Sequence, residues 1–299
     1  MIVLCALVAE FLPLLPVAGS SRAPIASWEE LKSQAQSKQA SAIQLVGPSF
    51  DSSDYDSAAA ITASVSIDGN GAVLDASKGA SSTTRRFFLM ETGSPALSLR
   101  SLTLVNGYVV FSVYGGGAIY SSGGSINLTN CTFTGNTAHG AMGGGAIFSG
   151  GPVFVVDSVF VGNTAGACGG GAIYAGGNVS ISGTSFVGNA AGYNAGALYA
   201  LASAVTVTDS NFTQNTAQRG GALGLYSYGS VAAVVTLSNV TLRENAASSQ
   251  GGAIFCGAGN ELTLNNSALA SNNASAGGGS AVYVDSGGNA SVHCSTLNR

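Results

Sequence analysis

The chain is short of charge, of proline, of histidine and of tryptophan. Among its 299 residues are ten Lys and Arg, fourteen Asp and Glu, six Pro, two His and one Trp, and charged residues make up 8%, where an ordinary globular protein carries roughly a quarter. Each shortage excludes something. Ten scattered cations against a formal net charge of −4 give no basic stripe to neutralise phosphates, so nucleic acid is not an expected partner. His139 and His293 stand far apart, no His, Cys or carboxylate cluster has ligand spacing, and neither a metal centre nor a cofactor is implied. No phosphate loop and no nucleophile elbow occur. Past the first twenty residues no apolar run is long enough to cross a membrane.

What the chain does contain is 43 glycines and a 46% hydrophobic composition, enough to bury a sizeable core. Its opening, MIVLCALVAEFLPLLPVAGSSRA, reads as a secretory signal over residues 1–23, with Ala18-Gly19 or Ala23 as the cleavage point and a membrane anchor as the alternative, since no Lys or Arg precedes the apolar run and Glu10 interrupts it. Pro13 and Pro16 argue against a straight spanning helix. Cys5 falls in that segment. Cys131, Cys168, Cys256 and Cys294 fall in different repeats, too far apart to bridge, and are expected to be small buried apolar residues. Eight sequons, at Asn127, Asn130, Asn178, Asn211, Asn239, Asn265, Asn273 and Asn289, suit a secreted protein.

The main signal is repetition. GGGAIYSSGGSINLTNCTFTGNTA, from Gly115, is followed by GGGAIFSGGPVFVVDSVFVGNTA and GGGAIYAGGNVSISGTSFVGNAA. An F-x-x-N step recurs every 26 to 30 residues as Phe133/Asn136, Phe160/Asn163, Phe186/Asn189, Phe212/Asn215, Leu242/Asn245 and Leu269/Asn272. A second column, Ile119, Ile147, Ile173, Leu198, Leu223 and Ile254, follows a Gly-Ala step and fades to Val282. Between them run period-two stretches such as Ile126/Leu128 and Leu262/Leu264, which is strand alternation. About 25 residues of short strands and Gly or Asn bends fit one turn of a parallel β-helix, with each coil laid on the last at about 4.8 Å. Equivalent residues then stack on themselves. The aliphatic and Phe columns bury one another, and the amides of Asn136, Asn163, Asn189, Asn215, Asn245 and Asn272 are expected to form a structural ladder inside a turn.

The expected fold is therefore all-β: a right-handed parallel β-helix over residues 46–299, repeats clearest over 106–283, behind an N-terminal cap at 24–45. In that cap Ser27 and Glu30 form a capping-box pair, and Trp28, Leu31 and Ala35 share one helical face. The helix would cover an open strand edge. At the far end ASVHCSTLNR stops in mid-coil, so further coils or a partner are expected to follow.

In its GGA-I and F-x-x-N marks, over Gly115 to about Val282, the chain resembles the repeat of the chlamydial polymorphic outer membrane proteins, and more broadly the secreted right-handed β-helix proteins of the pectin-lyase-like superfamily. The first resemblance implies an adhesin displayed at a cell surface. The second raises polysaccharide chemistry, for which a site has to be found. Asp157 and Asp209, at equivalent places two coils apart, are the weak candidates for a catalytic pair, but bend positions shared with Asn130, Gly183, Asn239 and Asn266 account for them better. His139 reads as a turn residue. Arg219 and Arg243 have only Glu244 for company, too little for a lyase. The acidic FDSSDYD stretch with Asp68 and Asp75 matches no calcium loop.

One column has a functional reading. Tyr120, Phe148, Tyr174, Tyr199, Phe255 and Tyr283 follow the aliphatic column, with a gap at Gly224, and alternation sends them outward as a ligand-binding stripe. The sequence therefore predicts a secreted or cell-surface protein without a cofactor, acting as an adhesive or structural module toward a polysaccharide or cell-surface protein. A polysaccharide lyase or glycoside hydrolase is the alternative.

Overall fold

The computed structural model describes residues 25, 27–37, 42–47, 49–51, 58–78, 84–91, 93, 95–110, 113–140, 142–166, 169–202, 204–227, 232–276 and 278–298. The expected signal segment, Cys168 and most of the FDSSDYD stretch lie outside them. The chain forms a parallel β-solenoid of about eight turns with one short helix near its start. A representative coil runs Ile119–Ser121, Ile126–Thr129, Thr132–Thr134 and Thr137–Ala138. Stacked through the molecule, these strands make four sheets, here I to IV in that order, of nine, ten, ten and eight strands. Pairing is parallel and in register, as in Ile119↔Ile147 and Phe133↔Phe160, with two exceptions: Thr84–Arg85 runs antiparallel to Tyr108–Val109, and in sheet IV the register shifts by one residue between Ala217 and Arg219. Among the described residues no helix is long and apolar enough to cross a membrane.

Columns, not individual contacts, make the core. The Ile119-to-Ile254 column and the Phe133, Phe160, Phe186 and Phe212 rings are fully buried. Those rings stack at 4.7–4.8 Å within 3–7° of parallel, which is the pitch the paired strands impose. Of the four bends in a coil, three have a chemistry that recurs from coil to coil. Between sheets II and III stand Asn130, Asp157, Asp209, Asn239 and Asn266, all with φ between 46° and 57°, residue types that tolerate the left-handed region. The next residue along contributes a hydroxyl ladder: Ser158 Oγ accepts the Cys131 N–H and donates to the Val156 carbonyl, and Thr184 repeats the pattern one coil on.

Between sheets III and IV the Asn amides join coil to coil. Asn163 Oδ1 accepts both the backbone N–H and the Nδ2–H of Asn136, at 3.0 and 2.9 Å, while Asn163 Nδ2 donates to Asn189 Oδ1 and to the Phe133 carbonyl. The same four bonds recur at Asn189, Asn215 and Asn245. Both donors and both acceptor sites of each amide are used, which is what lets it sit fully buried. The third bend, before sheet I, is the glycine corner. Gly170 takes φ 81°, and at Gly171 a Cβ would run into the Gly196 carbonyl of the next coil.

Ser27 caps the helix Trp28–Gln36, its hydroxyl accepting the Glu30 N–H. Trp28 packs edge-on against Phe87 and Phe88, so the apolar face closes the first coil. One expectation fails: Cys131 and Cys256 are buried free thiols, but Cys294 is exposed. It occupies the sheet II–III bend column of the last coil, with φ 47°, and side chains in that column point away from the core.

Candidate functional site

Outside sheet I lies a second ladder, separate from the core. Tyr120, Phe148, Tyr174, Tyr199, Tyr226, Phe255 and Tyr283 stack in that order, with ring centroids 4.7–5.4 Å apart. Tyr114 leans on the first two. The ring faces are thus taken up by one another, and only ring edges face outward: Phe148, Tyr174 and Phe255 are buried, and Tyr120, Tyr199 and Tyr283 half-buried. A sugar stacks on a ring face, so this arrangement offers it little except at the ends of the ladder and at its irregularities.

Two side chains that sequence reasoning passed over complete the ladder. At the gap left by Gly224 the ring comes from Tyr226, two residues on and therefore on the same side of the strand; a Cβ at Gly224 would meet that ring and Ala195. At the opposite end Arg86 lies over Tyr120 with its guanidinium 5.3 Å from the ring centre. Its Nε and Nη2 donate to the Gly116 and Gly115 carbonyls at 2.6 and 2.8 Å, where one coil on the Gly144 carbonyl accepts the Gly116 N–H. Burial draws the Arg86 pKa down to about 10, against the opposing pull of Tyr120 and Glu91.

The corner from sheet IV into sheet I carries an exposed apolar row. Val113 is 61% exposed, Tyr114 41%, Met142 38% and, two coils on, Tyr193 42%; Tyr114 and Met142 are bridged neighbours. At Tyr193 the repeat breaks its own rules. Tyr193-Asn194-Ala195 replaces Cys168-Gly169-Gly170, and Ala195 holds the corner with φ 56°, a left-handed conformation that alanine resists. A Cβ at Gly169 would strike the Tyr199 ring; one coil on, where Asn194 does carry a side chain, the facing residue is Gly224. The Asn194 Oδ1 accepts the Tyr226 hydroxyl at 2.8 Å. Burial raises the pKa of that hydroxyl, and Arg219 works in the opposite direction. Beside it the register slips, since Ala217 pairs with Ala247 but Arg219 with Gln250, and the N–H groups of Gln218 and Arg219 both donate to the Tyr193 carbonyl. The Arg219 guanidinium lies 5.4 Å from the Tyr193 ring centre and 5.5 Å from that of Phe255.

The remaining candidates are dispersed. Asp157 and Asp209 are exposed bend residues, the second accepting from Asn239 Nδ2 at 2.9 Å. His139 is exposed and edge-on to Tyr108. Asp68 and Asp75 accept the N–H groups of Asn70 and Ser77 in tight turns, and Arg243 pairs with Glu244. Among the described residues no group of His, Cys, Asp or Glu is placed to hold a metal ion.

Three segments of the chain, residues 130–150, 157–176 and 239–257, match the Chlamydia polymorphic membrane protein repeat. Each runs from the sheet II–III bend through the Asn ladder and glycine corner to the end of a sheet I strand. They include neither Tyr193–Ala195 nor Gln218–Arg219 nor Gly224–Tyr226. A comparison with curated proteins and one with solved structures each returned no match.

Proposed function

We propose that the protein is a cell-surface or secreted recognition module, a rigid β-solenoid that adheres to a polysaccharide or protein surface through the corner between sheets IV and I. The exposed row of Val113, Tyr114, Met142 and Tyr193 carries this reading, because large apolar side chains held in a line on a stiff scaffold are what a binding face needs and what a merely solvated face avoids. Two further observations support it. The repeat matched by three coils is that of a membrane-protein family of the cell surface. None of the eight sequons lies on sheet I or on the corner leading into it, and the one on sheet IV, Asn273, is in the last strand of that sheet, beyond the coils that carry the apolar row. The test is adhesion of the purified chain to immobilised cells and polysaccharides, beside a Tyr114→Ser/Met142→Ser variant. Adhesion reduced in the variant supports the corner as the contact face; equal adhesion by both chains places the contact elsewhere.

A further inference from the structure

We propose that the break in the columns around Arg219 is a subsite for an anionic sugar, one bearing a carboxylate or a sulfate, held by the Arg219 guanidinium beside the Tyr193 ring. The inference rests on the adhesive reading above and names its ligand class. In a molecule built from self-matching coils, departures from the match are where function concentrates, and here they gather in one place: Ala195 in a left-handed bend, the slipped register before Arg219, the exchange of Gly224 for Tyr226, and a buried Gln218 Oε1 without a hydrogen-bond partner. The matched repeat segments omit Ala195, Gln218, Arg219, Gly224 and Tyr226, and take in only the Ala247–Gln250 side of the slip.

The chemistry follows from what surrounds the guanidinium. Arg243 spends its charge on Glu244 at 2.6 Å, whereas Arg219 has no carboxylate within ion-pair distance among the described residues. Flanked by the rings of Tyr193 and Phe255 and engaging the Tyr226 hydroxyl, the guanidinium is held in place, and its five N–H donors exceed what that one bond uses. Such a fork matches the two oxygens of a carboxylate or sulfate. Tyr193, 42% exposed, sets an apolar ring edge beside the charge, the pairing that a charged pyranose with apolar C–H faces presents. The chain's net charge of −4 means that an anion is drawn here by a local cation, not by the overall field.

The experiment titrates the full chain with polygalacturonate and with carrageenan, one carboxylated and one sulfated. Methyl-esterified pectin and agarose serve as neutral counterparts, and polyglutamate as an anion without sugar. Binding to one or both anionic polysaccharides is expected, and which of them binds identifies the oxyanion. Arg219→Gln should weaken it about tenfold or more, Arg219→Lys should restore part of it, Arg243→Gln should leave it unchanged, and added salt should reduce it. An Arg219→Gln chain with an unaltered circular dichroism spectrum and undiminished affinity overturns the subsite, as does equal affinity for the neutral polymers or for polyglutamate. Adhesion to cells through Tyr114 and Met142 without any binding of acidic polysaccharide sinks the subsite and leaves the adhesive reading standing; no adhesion of either kind sinks both.

Discussion

Replacing Asn163 with alanine should cost about 4 kcal/mol of stability, a figure that comes from counting what the change leaves unpaired. Asn163 Oδ1 accepts the Asn136 N–H and one Nδ2–H of Asn136, and Asn163 Nδ2 donates to the Phe133 carbonyl. Asn136, Phe133 and Asn163 are all fully buried. Truncation strands three polar groups at roughly 1–3 kcal/mol each, and a water entering the vacated space returns part of that. The Asn189 amide loses one donor but keeps the backbone N–H of Asn163. Urea unfolding followed by far-ultraviolet circular dichroism measures the loss, and because coils couple mainly to their neighbours, a second transition from coils on one side of the lesion belongs to the same expectation. Asn239→Gly is the contrast: its amide bond is exposed, its φ is 57°, and glycine at that angle should change stability by no more than about 0.5 kcal/mol. A loss below about 1 kcal/mol at Asn163 would refute the claim that the buried amides hold the coils together.

Other consequences are open to measurement. Gly171→Ala should destabilise by several times the effect of an exposed substitution, because its Cβ meets the Gly196 carbonyl, while Ala195→Gly should stabilise by about 1 kcal/mol by relieving a left-handed alanine; thermal unfolding separates the two signs. Arg86→Met should loosen the first coils, since it strips both hydrogen bonds from the Gly115 and Gly116 carbonyls, and faster hydrogen exchange at Gly115–Ala118 would report it. Burial pushes the Cys131 and Cys256 thiols up to about 11, above the 9.0 of a free thiol. The folded chain then binds more protons in that window, so the stability these thiols contribute is fully present below pH 9.0 and lost as the pH rises toward about 11. A Cys131→Ala/Cys256→Ala chain should lose that part of the pH dependence. In the wild type, peptide mapping should find Cys294 alkylated well before Cys131 or Cys256.

How much of this was legible depended on whether a residue repeats. The Phe and Asn columns and the left-handed bends recur in coil after coil, so their period revealed the solenoid, and Ser27 with the Trp28, Leu31 and Ala35 stripe revealed the cap. Sheet IV was not visible as a strand, because segments of two residues such as Thr137–Ala138 carry no alternation. Alternation did put the aromatics outside sheet I, yet it said nothing of their stacking face to face, which comes from the shared pitch of the coils. Tyr226 hid because it sits two residues out of column, and the gap at Gly224 was the one clue to it. Val113, Tyr114, Met142 and Tyr193 lie in a corner whose sequence changes from coil to coil. A repeat advertises what every coil needs and stays silent about what one coil does alone.

The most direct test of that division pairs two variants, Asn163→Ala and Arg219→Gln, and measures for each the unfolding free energy and the affinity for acidic polysaccharide per folded molecule. A crossed result is expected, with stability lost and affinity kept in the first and affinity lost and stability kept in the second. That expectation is contradicted if Arg219→Gln unfolds as readily as Asn163→Ala while its folded fraction binds like the wild type, for Arg219 would then be one more part of the stack.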